Sequence, residues 1–92
     1  MKAKLICYDL SKLDQTKKVL TKRLLFGYTE YSNNAQYTYK REGVLEKIPY
    51  FKLTKAVIII KSPDKGKVIN VLKKVKAKYK VFNIEVNKSI LH

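Results

Sequence analysis

The sequence has no tryptophan, one cysteine, one histidine, two prolines, three glycines and seven acidic residues among 92. Each scarcity closes off a class of chemistry. A lone Cys7 rules out an internal disulfide and any cysteine-based metal cluster within one chain, and it reads as a small apolar packing residue. His92 is the last residue and the only histidine, so no Ser-His, Cys-His or His-metal constellation assembles around it. Gly27, Gly43 and Gly66 are isolated, and Gly66-Lys67 lacks the preceding glycine of a phosphate-cradling loop. Long apolar runs are missing as well. The opening Met-Lys-Ala-Lys-Leu-Ile-Cys-Tyr-Asp is broken by charge and reads as neither a secretory signal nor a membrane span. The expectation is a soluble, cytoplasmic protein with no membrane partner, no cofactor and no metal.

What is abundant is lysine. Nineteen Lys and two Arg against seven acidic residues give a formal net charge of +14. A composition shaped by heat alone raises Glu together with Lys, whereas here only Lys rises. An acidic partner explains such a surface, because neutralising phosphates releases their condensed counterions. Lys places point charge on phosphates, whereas the planar fork of Arg reads guanine. With only Arg23 and Arg41 present, recognition of backbone and shape should dominate over recognition of bases. The length suits one domain, residues 1–92, with one modest core.

Lys2 to Tyr8 reads as a first strand near the sheet centre, ending at Asp9. Ser11 and Asp14 have capping-box spacing, which predicts a helix from about Lys12 to Leu25, stopped by Gly27. Leu13, Leu20 and Leu24 would face the core, with Val19, Leu25 and Phe26 widening the stripe. From Tyr28 to Lys61 tyrosine, threonine and β-branched residues prevail, with turn chemistry at Ser32-Asn33-Asn34 and Arg41-Glu42-Gly43. The second turn predicts a hairpin pairing Gln36 to Lys40 with Val44 to Lys47, Gly43 taking a positive φ. Pro49 marks a break before an extended Tyr50 to Leu53, and Ala56 to Ile60 is a buried central strand.

Ser62-Pro63-Asp64 starts a second helix running to about Lys78, with Val68, Val71, Leu72, Val75 and Tyr79 on one stripe. Val81 to Val86 is a last strand carrying Phe82, Ile84 and Val86 inward, and Asn87 to His92 is a short basic tail. The order β-α-β-β-α-β, with an elaborated β-hairpin in the middle, predicts an α+β fold. Its expected form is a ferredoxin-like sandwich, an antiparallel sheet with two helices on one face.

Candidate nucleic-acid-binding residues follow from this layout. Lys17, Lys18, Lys22 and Arg23 lie on the first helix; Lys65, Lys67, Lys73, Lys74, Lys76, Lys78 and Lys80 lie on and after the second. Together they predict a lysine stripe across the helices. Lys40 and Arg41 would sit at an exposed hairpin tip, able to reach a groove or crevice. Tyr37 and Tyr39 share a strand face by alternation and are candidates for stacking unpaired bases on an open sheet face, with Tyr8, Tyr28 and Tyr50 as neighbours. The glycine-aromatic signature of the RNA-recognition motif is absent from Lys55 to Lys61, so membership in that family is rejected.

The leading expectation is a non-enzymatic protein that binds nucleic acid, RNA in preference to DNA. It would serve as a component of the ribosome or another ribonucleoprotein particle, with other proteins of the particle as partners. Cys7-Tyr8-Asp9-Leu10 resembles the strand-end Tyr-Asp-Ile/Leu pattern of the small ferredoxin-like CRISPR adaptation subunit. The second reading is a DNA-associated protein, either architectural or a homodimer of that adaptation type, for which the four-residue resemblance implies that Asp9 from two protomers brackets a divalent ion and assists phosphodiester hydrolysis. Against it stands the ordinary reading of Asp9 as a strand-ending turn residue. A third reading is a protein-protein module for an acidic partner.

Overall fold

The computed structural model describes residues 1–31 and 37–91. In chain order it contains β1 (Lys2–Asp9), α1 (Gln15–Phe26), β2 (Tyr28–Tyr31), β3 (Thr38–Arg41), β4 (Tyr50–Thr54), β5 (Val57–Lys61), α2 (Lys65–Lys74) and β6 (Lys78–Glu85). Short 3-10 turns span Val44–Lys47, Ser62–Asp64 and Lys88–Ile90. This is a mixed α+β structure. Four antiparallel strands form one sheet in the order β4-β5-β1-β6, and β2 and β3 form a separate two-stranded ribbon.

Strand alternation divides the main sheet into two unlike faces. Ile6 of β1 and Ile58 and Ile60 of β5 share a core with Leu25 of α1, with Val68, Val71 and Leu72 of α2, and with Leu45 and Ile48. Burying a side chain such as Leu72, fully enclosed here, stabilises the fold by about 1.5–3 kcal/mol. On the opposite face Ala3 and Ile59 are buried under Leu91, with Leu5, Ile84 and Val86 packed around them. The expected basic tail is thus an apolar cover: Asn87 caps the Lys88–Ile90 turn, and Leu91 is anchored on the sheet. His92 lies outside the described residues.

Asp14, not Ser11, caps α1: its carboxylate accepts the Lys17 N–H at 2.8 Å, so the helix begins later than the capping-box spacing predicts. Of the predicted stripe, Leu25 is buried in the core and Leu13, Leu24 and Phe26 pack against it, whereas Leu20 and Val19 are exposed and Thr21 is buried in their stead. Thr21 tolerates full burial because its hydroxyl donates to the Lys17 carbonyl at 2.7 Å.

The predicted middle hairpin does not form. Thr38–Arg41 pairs with Tyr28–Tyr31, placing Arg41 opposite Tyr28, while Val44–Lys47 is a 3-10 turn. The expected turn at Ser32-Asn33-Asn34, and Gln36, lie outside the described residues. Gly43 has φ −88°, so it does not serve a left-handed turn. Its role is close approach: a Cβ there would stand 2.5 Å from the Leu25 carbonyl oxygen.

The second helix also ends early. Lys76 takes φ +60°, the Ala77 N–H reaches back to the Leu72 carbonyl at 3.0 Å, and the Lys76 N–H bonds the Lys73 carbonyl at 3.1 Å. This is a Schellman motif with lysine where glycine is usual. Tyr79 therefore belongs to β6 rather than to the helix, although it packs against the same core. Lys78 and Lys80 move with it into the strand. Because a lysine pays a steric penalty in the left-handed region, Lys76→Gly is expected to stabilise the fold by roughly 1 kcal/mol. A higher urea midpoint at unchanged m would confirm it; a lower midpoint would not fit this helix end.

Candidate nucleic-acid interface

Pairing Asp9 with Lys78 and Cys7 with Val57 brings four chain segments to one end of the main sheet. They are the end of β1, the Lys55-Ala56 turn between β4 and β5, the start of α1 and the end of α2. At this end α1 and the β4–β5 strands enclose a cleft of about 850 Å³. Its lining comprises Tyr8, Asp9, Leu10, Ser11, Lys18, Lys22, Phe26, Lys52, Lys55 and Ala56. Four lysines thus converge on an aromatic floor. Lys52 Nζ stands 5.0 Å from the Phe26 ring centroid, and Phe26 meets Tyr50 edge to face at 6.4 Å. A cation over a ring face is attracted by the ring quadrupole, which holds the Lys52 ammonium at the cleft. Burial pushes the Tyr8 phenol up, so it stays neutral at physiological pH.

Asp9 is the one acid in this lining. Its Oδ1 accepts the Ser11 N–H at 2.8 Å, and hydrogen bonding to Ser11, aided by Lys78 and Lys12, holds its carboxyl below the usual carboxylate range. Asp9 therefore stays ionised at neutral pH. A depressed carboxyl favours the fold above its unfolded pKa, and that contribution is lost as pH falls through the lower folded value. The expected carbon-13 NMR titration of Asp9 has its midpoint below that of an unstructured aspartate; a midpoint above it would contradict the Ser11 contact. Among the described residues no three His, Cys, Asp or Glu side chains gather closely enough to share a metal ion.

Sequence reasoning located Lys18 and Lys22 but missed Lys52 and Lys55. Lys52 alternates with Tyr50 onto the helix-packed side of β4, since it pairs with buried Ile58. Lys55 reaches the cleft because the β4–β5 connection is only two residues long. Lys73 and Lys74 in the last turn of α2, exposed Lys76 beyond it and Lys78 opposite Asp9 place further positive charge at this end. Lys17 is exposed in the first turn of α1, and Lys78 and Lys80 line a groove of about 530 Å³ together with Cys7, Tyr8 and Asp9.

The remaining predicted residues lie elsewhere. Arg23 and Lys67 line a second cleft of about 420 Å³ toward the other end of the helices, with Lys47 and Glu42. The Arg23 guanidinium lies 4.6 Å over the Tyr28 ring, and Lys67 Nζ sits 3.5 Å from Asp64. Lys65 begins α2 at that end. The predicted single stripe is divided between two ends of the helix layer.

Lys40 and Arg41 are not at a hairpin tip. They sit on β3, with Lys40 3.5 Å from Glu46 and Arg41 Nε 2.8 Å from Glu30; the hydrogen bond and charge of Glu30 raise the guanidinium pKa further. Tyr39 is exposed opposite Glu30 on the ribbon, and Tyr37, two residues earlier, is exposed as well. Neither joins Tyr8, Tyr50 and Tyr79, which lie on the helix-packed face of the main sheet, so the expected tyrosine platform is not assembled. No helix among the described residues is long and apolar enough to cross a membrane. Compared with protein-family models, with curated proteins and with solved structures, the chain matches none of them.

Proposed function

We propose that this protein binds the phosphate backbone of nucleic acid, RNA in preference to DNA, without catalysing a reaction, on a ferredoxin-like frame with both helices on one face. The observation that carries the reading is the cleft in which Lys18, Lys22, Lys52 and Lys55 converge, drawn from a helix, a strand and a turn, in a chain of net charge +14. Of these four, Lys18 is partly buried, which limits its freedom to reorient toward bulk water. Closely spaced ammonium groups repel one another unless phosphates lie between them, and counterion release then favours binding. Lys17, Lys73, Lys74, Lys76, Lys78 and Lys80 extend the same basic end, whereas Lys40, Arg41 and Lys67 are engaged by carboxylates. A ribonucleoprotein particle fits such a backbone binder, because base-specific donors are few.

The test is a salt titration of binding to structured RNA, single-stranded RNA and duplex DNA, with and without magnesium. Tighter RNA binding, a steep salt slope and intact strands support the reading. Duplex-DNA preference would replace it with a DNA-associated protein, and magnesium-dependent cutting abolished by Asp9→Asn with the dimeric nuclease implied by Tyr8-Asp9-Leu10. Binding only to an acidic protein would replace it with a protein-protein module. Under the phosphate-binding reading Asp9→Asn removes the one negative charge from the cleft and is expected to tighten RNA binding by roughly threefold, the scale of a partly screened surface charge. Weaker binding in a fold-intact variant would count against that role.

A further inference from the structure

We infer that the sheet face turned away from the helices takes unpaired bases of a single-stranded nucleic acid, stacked on Phe82 and Phe51. The inference rests on the phosphate-binding reading and extends it to a second surface. On this face the register aligns Phe51, Ile59, Leu5 and Phe82 in one row across β4, β5, β1 and β6. Leu91 covers the Ala3–Ile59 part of the face, while Phe51 remains 41% and Phe82 50% exposed. Phe82, expected from alternation to point into the core, therefore presents its ring to solvent.

Positive charge and exposed rings together specify the occupant. Lys61, Lys78 and Lys80 alternate onto the same face, against the single acid Asp9. A second copy would bring another +14 chain against them, and like charges disfavour that pairing. An anion carrying flat apolar groups meets both requirements. Phe51 and Phe82 stand three strand spacings apart, about 14 Å, which suits two bases separated along one extended strand rather than one base held between rings.

The face is also continuous with the lysine cleft. Tyr8 and Asp9 line both the cleft and the groove that holds Lys78 and Lys80, so a strand leaving Lys55 passes the end of β1 toward Phe82. Duplexes offer no free base faces and would engage only the lysines.

The experiment uses the full chain and 12-nucleotide oligouridine beside an RNA duplex of equal length. Phe82→Ala is expected to weaken oligouridine binding on the order of tenfold, with Phe82→Tyr restoring it and duplex affinity and salt slope unchanged. Because the chain has no tryptophan, Phe82→Trp supplies a reporter whose emission should be quenched at saturation. Oligouridine binding that is indifferent to Phe82→Ala and leaves the indole emission unchanged would overturn the stacking site while leaving the lysine cleft intact. Self-association that buries the indole without nucleic acid would overturn it in favour of a second copy. Absence of binding to any nucleic acid would overturn both readings together.

Discussion

Gly43→Ala should cost at least ~3 kcal/mol, a large share of the 5–15 kcal/mol that holds a small domain together. The added Cβ would lie 2.5 Å from both the carbonyl carbon and oxygen of Leu25, and closer still to the Gly27 nitrogen. Those are backbone atoms at the end of α1, so no side chain can swing away to make room. Relief requires the helix end and the Val44–Lys47 turn to separate, which would unseat Leu25 and Leu45 from the core. Gly27 is locked in the same contact: its φ is +79° with ψ near 180°, a region open essentially to glycine alone, and a Cβ there would approach the Gly43 nitrogen at 2.8 Å. Gly66 is the internal control, since a Cβ at that helical position meets nothing within 4 Å. Gly66→Ala is expected to stabilise the fold by about 0.5–1 kcal/mol. Urea denaturation of Gly43→Ala and Gly66→Ala distinguishes close approach from mere flexibility as the reason for glycine at each site.

Replacing Lys18, Lys22, Lys52 and Lys55 together with Gln should weaken single-stranded RNA binding on the order of a hundredfold near ~0.1 M salt and flatten the salt dependence by about 0.7 per lost contact. These residues are on the surface or partly exposed, so the fold should survive and circular dichroism should be unchanged. The matching replacement of Lys47, Lys65 and Lys67 removes similar charge from the other end of the helices. It should leave the slope nearly intact if phosphates occupy the cleft. Equal losses in the two variants would mean that total charge, rather than its convergence, governs binding. Lys73, Lys74 and Lys76 border the basic end without lining the cleft, so their replacement by Gln should weaken binding less than the four-lysine variant and nearly uniformly across sequences.

The elements legible in the sequence are those whose signals are local and redundant. β5 announces itself by an unbroken Val-Ile-Ile-Ile run, and α2 by a stripe in which Val68, Val71, Leu72 and Val75 are all buried. The hairpin error arises because Gly43 follows Arg41-Glu42 as a turn glycine would, whereas its function is to admit the α1 backbone, a contact between residues far apart in sequence. The end of α2 is hidden for a different reason: Lys76 carries no composition signal for a left-handed position. Phe82 shows the limit of period-two alternation, which separates Tyr79 and Val81 from Phe82 and Ile84 but does not say which set the helices cover.

The candidate site was half legible. Helical spacing exposes Lys18 and Lys22, but Lys52 and Lys55 reach the same cleft only through the pairing of β4 with β5. The tyrosines mislead because their abundance in the middle of the chain suggests one platform, while the fold distributes them between the β2–β3 ribbon and the helix-packed face.

Lysine acetylation footprinting, read by mass spectrometry with and without saturating single-stranded RNA, tests the central claim most directly. Protection of Lys18, Lys22, Lys52 and Lys55, with Lys47, Lys65 and Lys67 still reactive, is the predicted result. Cleft lysines that remain as reactive as in the free protein, while Lys47, Lys65 and Lys67 become protected, would contradict it and move the phosphate path to the opposite end of the helices.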